Sequence, residues 1–467
     1  MKLVLLWTDA AVLLLVVALA WYARKIVRTP HLSATWRRAL MRPSCMAAAI
    51  VLAVVAVIGL LDSIHYRTLL PATQKGAPPA YSAETRSVLD ALLDAQARAR
   101  EKTYSAPLAY LGFQKESIEI NGERVREYPR LAHGGAHLTD PERQWMRDVA
   151  QRILGGAVAG CIVASLIAML VTAAIASTRR IALNHAWQSV VKGATAMPVR
   201  TALITITVLC IIAGPIAALA PYYHVFGTDR VGNDLLYVVL KSIRTALVIG
   251  TMTTLVTLPL AVGLGILSGY VRGWLDEAVQ YVYTVINSIP YVLLIAAAVL
   301  ILQTFIDNHA ELFQTSAERT DARLFFLCVI LGLLSWTELC RLIRGETMKL
   351  RELDYVQAAQ AFGVNTWRIL TVHLLPNVMH LVLIYVVISF SSLVLAEAVL
   401  SYVGVGVDPA MQSFGTLINT ARFELARQPS IWWTLATAFT FMFTIVLAAN
   451  IFADAVRDAF DPKAYRS

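Results

Sequence analysis

Charge is scarce in this sequence. Asp, Glu, Lys and Arg together make up 15% of its 467 residues, where a soluble chain carries roughly 25%. That deficit excludes an ordinary soluble enzyme. Cysteine is sparse too: Cys45, Cys161, Cys210, Cys328 and Cys340 stand in or beside apolar runs. None has zinc-ligand spacing and no disulfide framework is implied, so they read as small core residues. No Gly-Lys dipeptide occurs anywhere. A phosphate loop of the form Gly-x-x-x-x-Gly-Lys-Ser/Thr is therefore absent, and with it that way of cradling a nucleotide. No catalytic or metal-ligating constellation stands out. The net charge of +9 does not point to nucleic acid, because no soluble basic domain accompanies it. In a membrane chain such an excess reflects Lys and Arg retained on the cytoplasmic side.

Apolar residues are what the chain has in abundance, 57% of positions, with a mean hydropathy of +0.61. They fall in nine runs, at 3–22, 43–62, 152–176, 201–221, 243–270, 282–305, 324–343, 379–402 and 431–453. Each is near the ~20 residues that span a bilayer core. Arg24, Lys25, Arg28, Arg37, Arg38 and Arg42 lie between the first two runs, and Arg179, Arg180, Lys192 and Arg200 follow the third. Both loops are expected inside the cell. Alternation then places the N-terminus outside, and the 344–378 loop and C-terminus inside. Lys2 and the apolar core before Ala18-Leu19-Ala20 look like a signal peptide. Asp9 and the basic stretch behind them favour an uncleaved span.

Residues 63–151 are then a periplasmic segment of balanced charge. Ser82 to about Lys102 reads as an amphipathic helix capped by Ser82, with Val88, Leu89, Leu92 and Leu93 on one face. Residues 118–125 read as a hairpin turning at Asn121-Gly122, and Pro141 to Arg152 leads helically into the third span. In the fifth span Gly265, Gly269 and Gly273 recur every fourth residue, a face on which a neighbouring helix can pack closely.

The stretch Arg344 to Asn377 is the most informative. Asp354 is expected to cap a short helix over Val356–Phe362, with Ala358 and Ala359 as a small-residue face. Gly363 is expected to end it in a left-handed conformation. A second helix, Thr366 to Leu375, should follow and break at Pro376-Asn377. A rigid short helix of this kind suits docking into a protein groove; an ordinary juxtamembrane connector is the other reading.

Gln357-Ala358-Ala359, then Gly363, then Pro376 resembles the coupling loop of bacterial ABC importer permeases, whose pattern is Glu-Ala-Ala, three residues, Gly, and a later Pro. Leu350 to Ala359 and His373-Leu374-Leu375-Pro376-Asn377 are similar to the dipeptide/oligopeptide permeases, and to their C-type subunit. Gln357 stands where Glu is usual, which moves the expected contact from charge to shape. The resemblance covers about 201–463. His224-Val225-Phe226-Gly227-Thr228-Asp229-Arg230-Val231-Gly232-Asn233-Asp234 resembles a family segment after the fourth span, and Glu397-Ala398-Val399-Leu400-Ser401-Tyr402-Val403-Gly404-Val405-Gly406 another after the eighth.

The resemblance implies a transport subunit of the bacterial inner membrane that is not an enzyme and binds no cofactor. ATP and Mg would sit on two separate ATPase subunits gripping Asp354, Tyr355, Gln357, Ala358, Ala359, Phe362 and Gly363. A second homologous permease and a periplasmic substrate-binding protein complete the assembly, with short peptides or a related small solute as cargo. Asp229 and Asp234 are candidate periplasmic contacts, the alternative being that they order their own loop. Glu397 and Asn287 are candidates for a pathway or gate, because polar groups at membrane depth usually face a path or partner. For Glu397 a helix–helix hydrogen bond is the competing reading. Asp9 has no assigned partner.

The expected fold is an all-α polytopic membrane protein with a small α+β periplasmic domain between the second and third helices. Its parts are 1–62 (an extension with two spans), 63–151, 152–200 (third span and linker) and a six-helix permease domain, 201–467. Two rivals stay open: an ion-gradient-driven secondary transporter, for which no inverted repeat is visible, and a membrane-anchored sensor or assembly platform.

Overall fold

The computed structural model describes residues 2–69, 81–82, 84–120, 123–313 and 315–460. Its helices, in chain order, are α1 (Trp7–Arg28), α2 (Pro30–Met41), α3 (Pro43–Asp62), α4 (Val88–Leu92), α5 (Asp94–Arg98), α6 (Pro141–Arg179), α7 (Leu183–Val191), α8 (Val199–Leu219), α9 (Leu235–Val271), α10 (Trp274–Ser288), α11 (Tyr291–Asn308), α12 (Ser316–Arg351), α13 (Asp354–Ala361), α14 (Thr366–Arg368), α15 (Leu375–Val403), α16 (Phe414–Leu425) and α17 (Trp433–Phe460). Five short strands accompany them: β1 (Lys2–Val4), β2 (His65–Arg67), β3 (Arg86–Ser87), β4 (Glu116–Ile120) and β5 (Glu123–Glu127). Among the described residues nine helical stretches are long and apolar enough to cross a membrane, and each overlaps one of the nine expected runs.

The core is a bundle around α9, which packs on α12, α15, α17, α3 and α1. Its apolar seams are continuous: Val239, Ile243 and Ala246 meet Val394, Phe414 and Met442, while Val248, Ile249 and Met252 meet Leu324, Leu327 and Leu331. The N-terminal helices are part of this bundle. α1 lies against α9 and α12, and α3 against α9 and α17. Span four follows a different course: α8 pairs with α6, where Gly156 faces Gly214 and Gly160 faces Cys210, and the pair attaches through α3.

The segment between α3 and α6 differs from expectation in its first half. β1, β2 and β3 form an antiparallel sheet, with Leu3 opposite Tyr66 and His65 opposite Ser87. The start of the chain is thus woven into the segment that follows α3. The single helix expected from Ser82 is instead two short ones. Among the described residues Ser82 Oγ accepts from the Glu84 N–H and from no other. The cap is Ser87, whose Oγ accepts from the Asp90 N–H at 3.1 Å while Asp90 Oδ2 accepts from the Ser87 N–H at 2.8 Å. This is a reciprocal capping box. Leu89 is buried and Leu92 exposed, so the expected apolar face is not shared. β4 and β5 pair in the expected hairpin register, Ile118 opposite Val125; the Asn121-Gly122 turn lies outside the described residues.

Candidate functional site

Two helices prepare the 344–377 region. α12 runs 36 residues, about 54 Å at 1.5 Å per residue, so it outreaches a ~30 Å hydrocarbon core. Residues 344–351 are its last turns rather than loop, since an isolated Gly345 does not stop a helix. α9 runs alongside. A Cβ at Gly265 would lie 2.9 Å from the Cys340 carbonyl oxygen, and one at Gly269 2.8 Å from that of Arg344. Both positions are the close helix contact expected. Gly273 is not: it follows the end of α9, has φ +66°, and caps the start of α10 with open space around it. Its role is the turn.

Polar contacts then brace the end of this pair. Arg344 makes a two-pronged contact with Asp276 of α10, 2.5 and 2.7 Å, and the guanidinium holds the Asp276 carboxyl below the usual carboxylate range. Arg351 donates to the Tyr270 carbonyl at 2.9 Å, and Arg272 to Glu352 at 2.9 Å.

α13 hangs from this frame. Its one buried residue is Val356, fully enclosed with Ile343, Ile369, Leu370 and Leu374. Asp354 is not its cap. Leu353 occupies that position, without a side-chain hydrogen bond, and Asp354 is the first helical residue. There its carboxylate complements the helix dipole instead of satisfying a backbone N–H. The C-terminus closes as the sequence requires: Gly363 has φ +71°, its N–H donates to the Gln360 carbonyl at 3.0 Å, and the Val364 N–H donates to that of Ala359 at 3.0 Å. This paired closure is the Schellman motif, and it needs the left-handed conformation that glycine adopts without steric cost. Side chains fix the orientation: Gln360 Nε2 donates to Tyr270 Oη at 3.0 Å, and Asn377 Nδ2 to Tyr355 Oη at 3.1 Å. Gln357 Nε2 turns back to the Glu352 carbonyl at 3.2 Å. The outward face is Tyr355, Ala358, Phe362 and, from α14, Trp367. Phe362 is 86% and Trp367 72% exposed. A helix rooted by one buried valine and bristling with exposed aromatics is a surface built for a partner. Sequence reasoning misses Trp367 and Tyr270; an aromatic in an otherwise polar loop is the available signal.

Beyond α14 the chain does not break at Pro376. Residues Ile369–Leu374 form a π-helical stretch that continues directly into α15. The wider turn places Pro376 near the start of a new helical register, where its missing N–H costs little. Asn377 Nδ2 takes up the His373 carbonyl at 2.6 Å.

The remaining candidates are placed as follows. Asn287 lies near the end of α10, because the sixth span breaks before Pro290; it is exposed and accepts from Thr337 Oγ1 at 3.2 Å. Glu397 is 2% exposed. It accepts from Ser401 Oγ at 2.7 Å and from Ser413 Oγ, the cap of α16, at 2.9 Å. It ties α15 to α16. Asp229 orders its own loop, accepting from the N–H groups of Val231 and Asn233 at 2.9 and 2.8 Å. Asp234 is 2% exposed, caps α9 through the Leu236 N–H at 2.8 Å, and lies 2.7 Å from His224 Nδ1. Burial removes it as a contact for another protein. The other ring nitrogen of His224 is 3.4 Å from Glu101. Burial works against the imidazolium, but the two carboxylates outweigh it and raise His224 to about 9. Burial also disfavours the Glu101 anion; His224 and the N–H groups of Ala132, His133 and Gly134 outweigh it and bring Glu101 to about 2. The Ser105 N–H donates to Thr228 Oγ1 at 2.6 Å, and Trp433 Nε1 to the Thr228 carbonyl at 3.1 Å. The 224–234 loop is therefore the seat on which the chain's own 101–113 stretch docks.

Known proteins resemble this chain in sequence. Residues 261–466 match the family described as binding-protein-dependent transport system inner membrane component. The oligopeptide transport system permease protein OppC of Mycobacterium tuberculosis is 30% identical over 239 residues, 51% of this chain and 76% of the relative. The dipeptide transport system permease protein DppC of Lactococcus lactis is 31% identical over 241 residues, 52% and 64% of the two chains. The glutathione transport system permease protein GsiD of Pectobacterium atrosepticum is 30% identical over 242 residues, 51% and 73%. With its nine apolar helices, the chain belongs to the binding-protein-dependent inner-membrane permeases of ABC importers, in the branch of the oligopeptide and dipeptide permeases.

Proposed function

We propose that this permease carries short peptides into the cell paired with a second, homologous permease, with two ATPase subunits beneath them. The observation that carries the reading is α13, a helix anchored at Val356, closed at Gly363, and exposed along Tyr355, Ala358 and Phe362. In this reading Asp354, Gln357 and Ala359 complete the grip. Gln357, spent on the Glu352 carbonyl, leaves recognition to shape and aromatic contact. ATP and Mg are bound and turned over on the ATPase subunits, and this chain supplies no catalytic group. Closure of the ATPase pair moves α13 as a rigid lever. The permease pair then switches between outward and inward states by differential affinity for nucleotide. A binding protein loads peptide from outside, on the side of the 63–140 segment, with the N-terminus outside and the C-terminus inside.

The test is uptake of a radiolabelled dipeptide by cells whose only copy of this permease is the wild type or a Phe362→Cys variant. Uptake should be blocked by vanadate, and the cysteine should cross-link to an ATPase subunit. Uptake that resists vanadate and collapses with an uncoupler would refute this reading in favour of a gradient-driven transporter.

A further inference from the structure

On the reading that this chain is a peptide permease, we propose that the groove between α12 and α15 is a water-filled stretch of the substrate path, and that Glu338 recognises an ammonium group on the substrate there.

The groove has a volume of about 640 Å³ and is lined by Glu338, Glu346, His380, Tyr385, Ile388 and Ser392, among others. Glu338 stands 13 residues before the end of α12 at Arg351, about 20 Å along the helix axis, so it lies at membrane depth. Its neighbours Thr337 and Leu339 are buried, while Glu338 itself is exposed. Among the described residues it has no hydrogen-bond or ion-pair partner. Other acids at membrane depth differ in this: Asp9 has Arg244 and His65, Asp321 has Arg244, and Glu397 has two serines. A bare carboxylate turned toward lipid is costly, so such groups face water, a partner or a ligand.

The groove's chemistry favours a cation. Tyr385 of α15 lies within electrostatic reach of Glu338 and donates to the Ser335 carbonyl at 3.3 Å. Ser335 Oγ is 3.1 Å from Tyr291 Oη. Tyr385, Ser389 and Ser392 thus set hydroxyl groups along the groove with Glu338, and Arg341, one turn further along α12, is exposed and makes no ion pair with it. Lys349, His380 and Arg457 also line the groove, but toward its other end, where Glu346 holds Lys349 at 3.0 Å. A primary ammonium offers one charge and three donors, which suits an unpaired carboxylate with hydroxyl groups along the same groove. The α-amino group of a peptide and a lysine side chain share this chemistry.

The experiment uses the whole transporter in native membrane vesicles, with Cys161→Ser to remove the exposed native thiol and Ile388→Cys as reporter. Modification at position 388 is followed by mass spectrometry with cationic trimethylammonioethyl methanethiosulfonate and with the anionic sulfonatoethyl reagent. The cationic reagent should react faster. Glu338→Gln should lower the cation-to-anion rate ratio by roughly fivefold, and Glu338→Asp should largely keep it. An unreactive reporter thiol would mean that a partner or lipid seals the groove, and an unchanged ratio that Glu338 does not set its field; either overturns the proposal. Uptake separates the two ammonium sources. If the lysine side chain is read, Glu338→Gln lowers Lys-Ala uptake about tenfold and spares Ala-Ala; if the α-amino group is read, both fall and the cation-to-anion ratio falls with them. Loss of both peptides with an intact ratio makes Glu338 a structural residue and overturns the proposal. A wild-type chain that restores no peptide uptake refutes the transport reading instead, and the labelling ratio still reads the groove by itself.

Discussion

Arg244 offers the sharpest test of how the N-terminal helices are held. It is 5% exposed on α9. Its Nη2 donates to Asp9 Oδ1 of α1 at 2.6 Å and to Thr8 Oγ1 at 2.7 Å, and lies 3.5 Å from Asp321 Oδ1 of α12. The Thr8 N–H donates to Asp321 Oδ2 at 3.0 Å, and His65 Nδ1 is 2.7 Å from Asp9 Oδ2. One guanidinium thus serves two enclosed carboxylates on two helices. Arg244→Met keeps most of the side-chain volume and takes the guanidinium from both, leaving Asp9 to His65 and Asp321 to Thr8. Breaking a buried pair from one side costs about 3–5 kcal/mol. Asp9→Asn leaves Arg244 its second carboxylate; it forfeits the charged hydrogen bond to Arg244, about 1.5–3 kcal/mol, and weakens the contact with His65. If the two residues act through one another, the double variant should fall short of the sum of the singles by about 1 kcal/mol or more. Unfolding by SDS titration in mixed micelles measures all three. Strict additivity, or an Arg244→Met cost under about 1 kcal/mol, would refute the claim that this cluster fastens α1 to the bundle.

Two further outcomes follow from the loop ends. Gly363→Ala, at φ +71° with no neighbour within 4 Å, should cost about 1–2 kcal/mol of local strain and leave most uptake intact. Gly363→Pro also removes the N–H bonded to Gln360, and a bulky residue at Ala359 pushes α13 away from the Ile343, Ile369 and Leu374 side chains that enclose Val356. Both should abolish uptake at unchanged membrane abundance, and normal uptake by both would sink the lever. For the outer staple, His224 is raised from 6.5 to about 9, so its contribution is complete below pH 6.5 and is lost as pH rises through 9. Glu101, lowered from 4.5 to about 2, contributes above pH 4.5 and loses its share as pH falls through 2. Hydrogen exchange in residues 101–113 should therefore be slowest between about pH 4.5 and 6.5, after correction for intrinsic rates, and accelerate toward pH 9. His224→Gln should flatten the alkaline limb; an unchanged limb would show that another group carries it.

The spans were legible because a bilayer imposes length and apolarity on each run independently of every other. The end of α13 was legible for a similar reason: a glycine after a helical pattern is a local instruction. What failed was local in appearance and decided elsewhere. Ser82 and Ser87 both resemble caps, but only Ser87 has an acid three residues on, and its strand pairing with His65 fixes where the helix can begin. Pro376 reads as a break, yet neighbours on α9 and α12 hold the chain helical through a π stretch. Asn287 reads as part of the sixth span, which Pro290 divides so that Asn287 falls near the end of α10.

The pairings that organise the bundle were beyond reach for a different reason. Asp9 and Arg244 are separated by 235 positions, and neither carries any local sign of the other. The same distance problem hid the role of the 224–234 loop. Its glycines and acids look like a surface motif, whereas Gly232 lies so close to the Glu101 carbonyl that a side chain would overlap it, and Asp234 is spent on His224 and the α9 cap. Packing therefore runs across residue 201, where the family likeness begins, since α1 and α3 both lie against α9. The core helix α9 takes its charge balance from α1 through Asp9 and from the segment after α3 through Asp90, which Lys241 reaches at 2.7 Å. Asp62, at the end of α3, adds a second carboxylate to Lys241 at 3.4 Å. Asp9 of α1, Asp62 of α3 and Asp90 of α4 thus answer the charges of Arg244 and Lys241, which ties the N-terminal extension to the core helix α9.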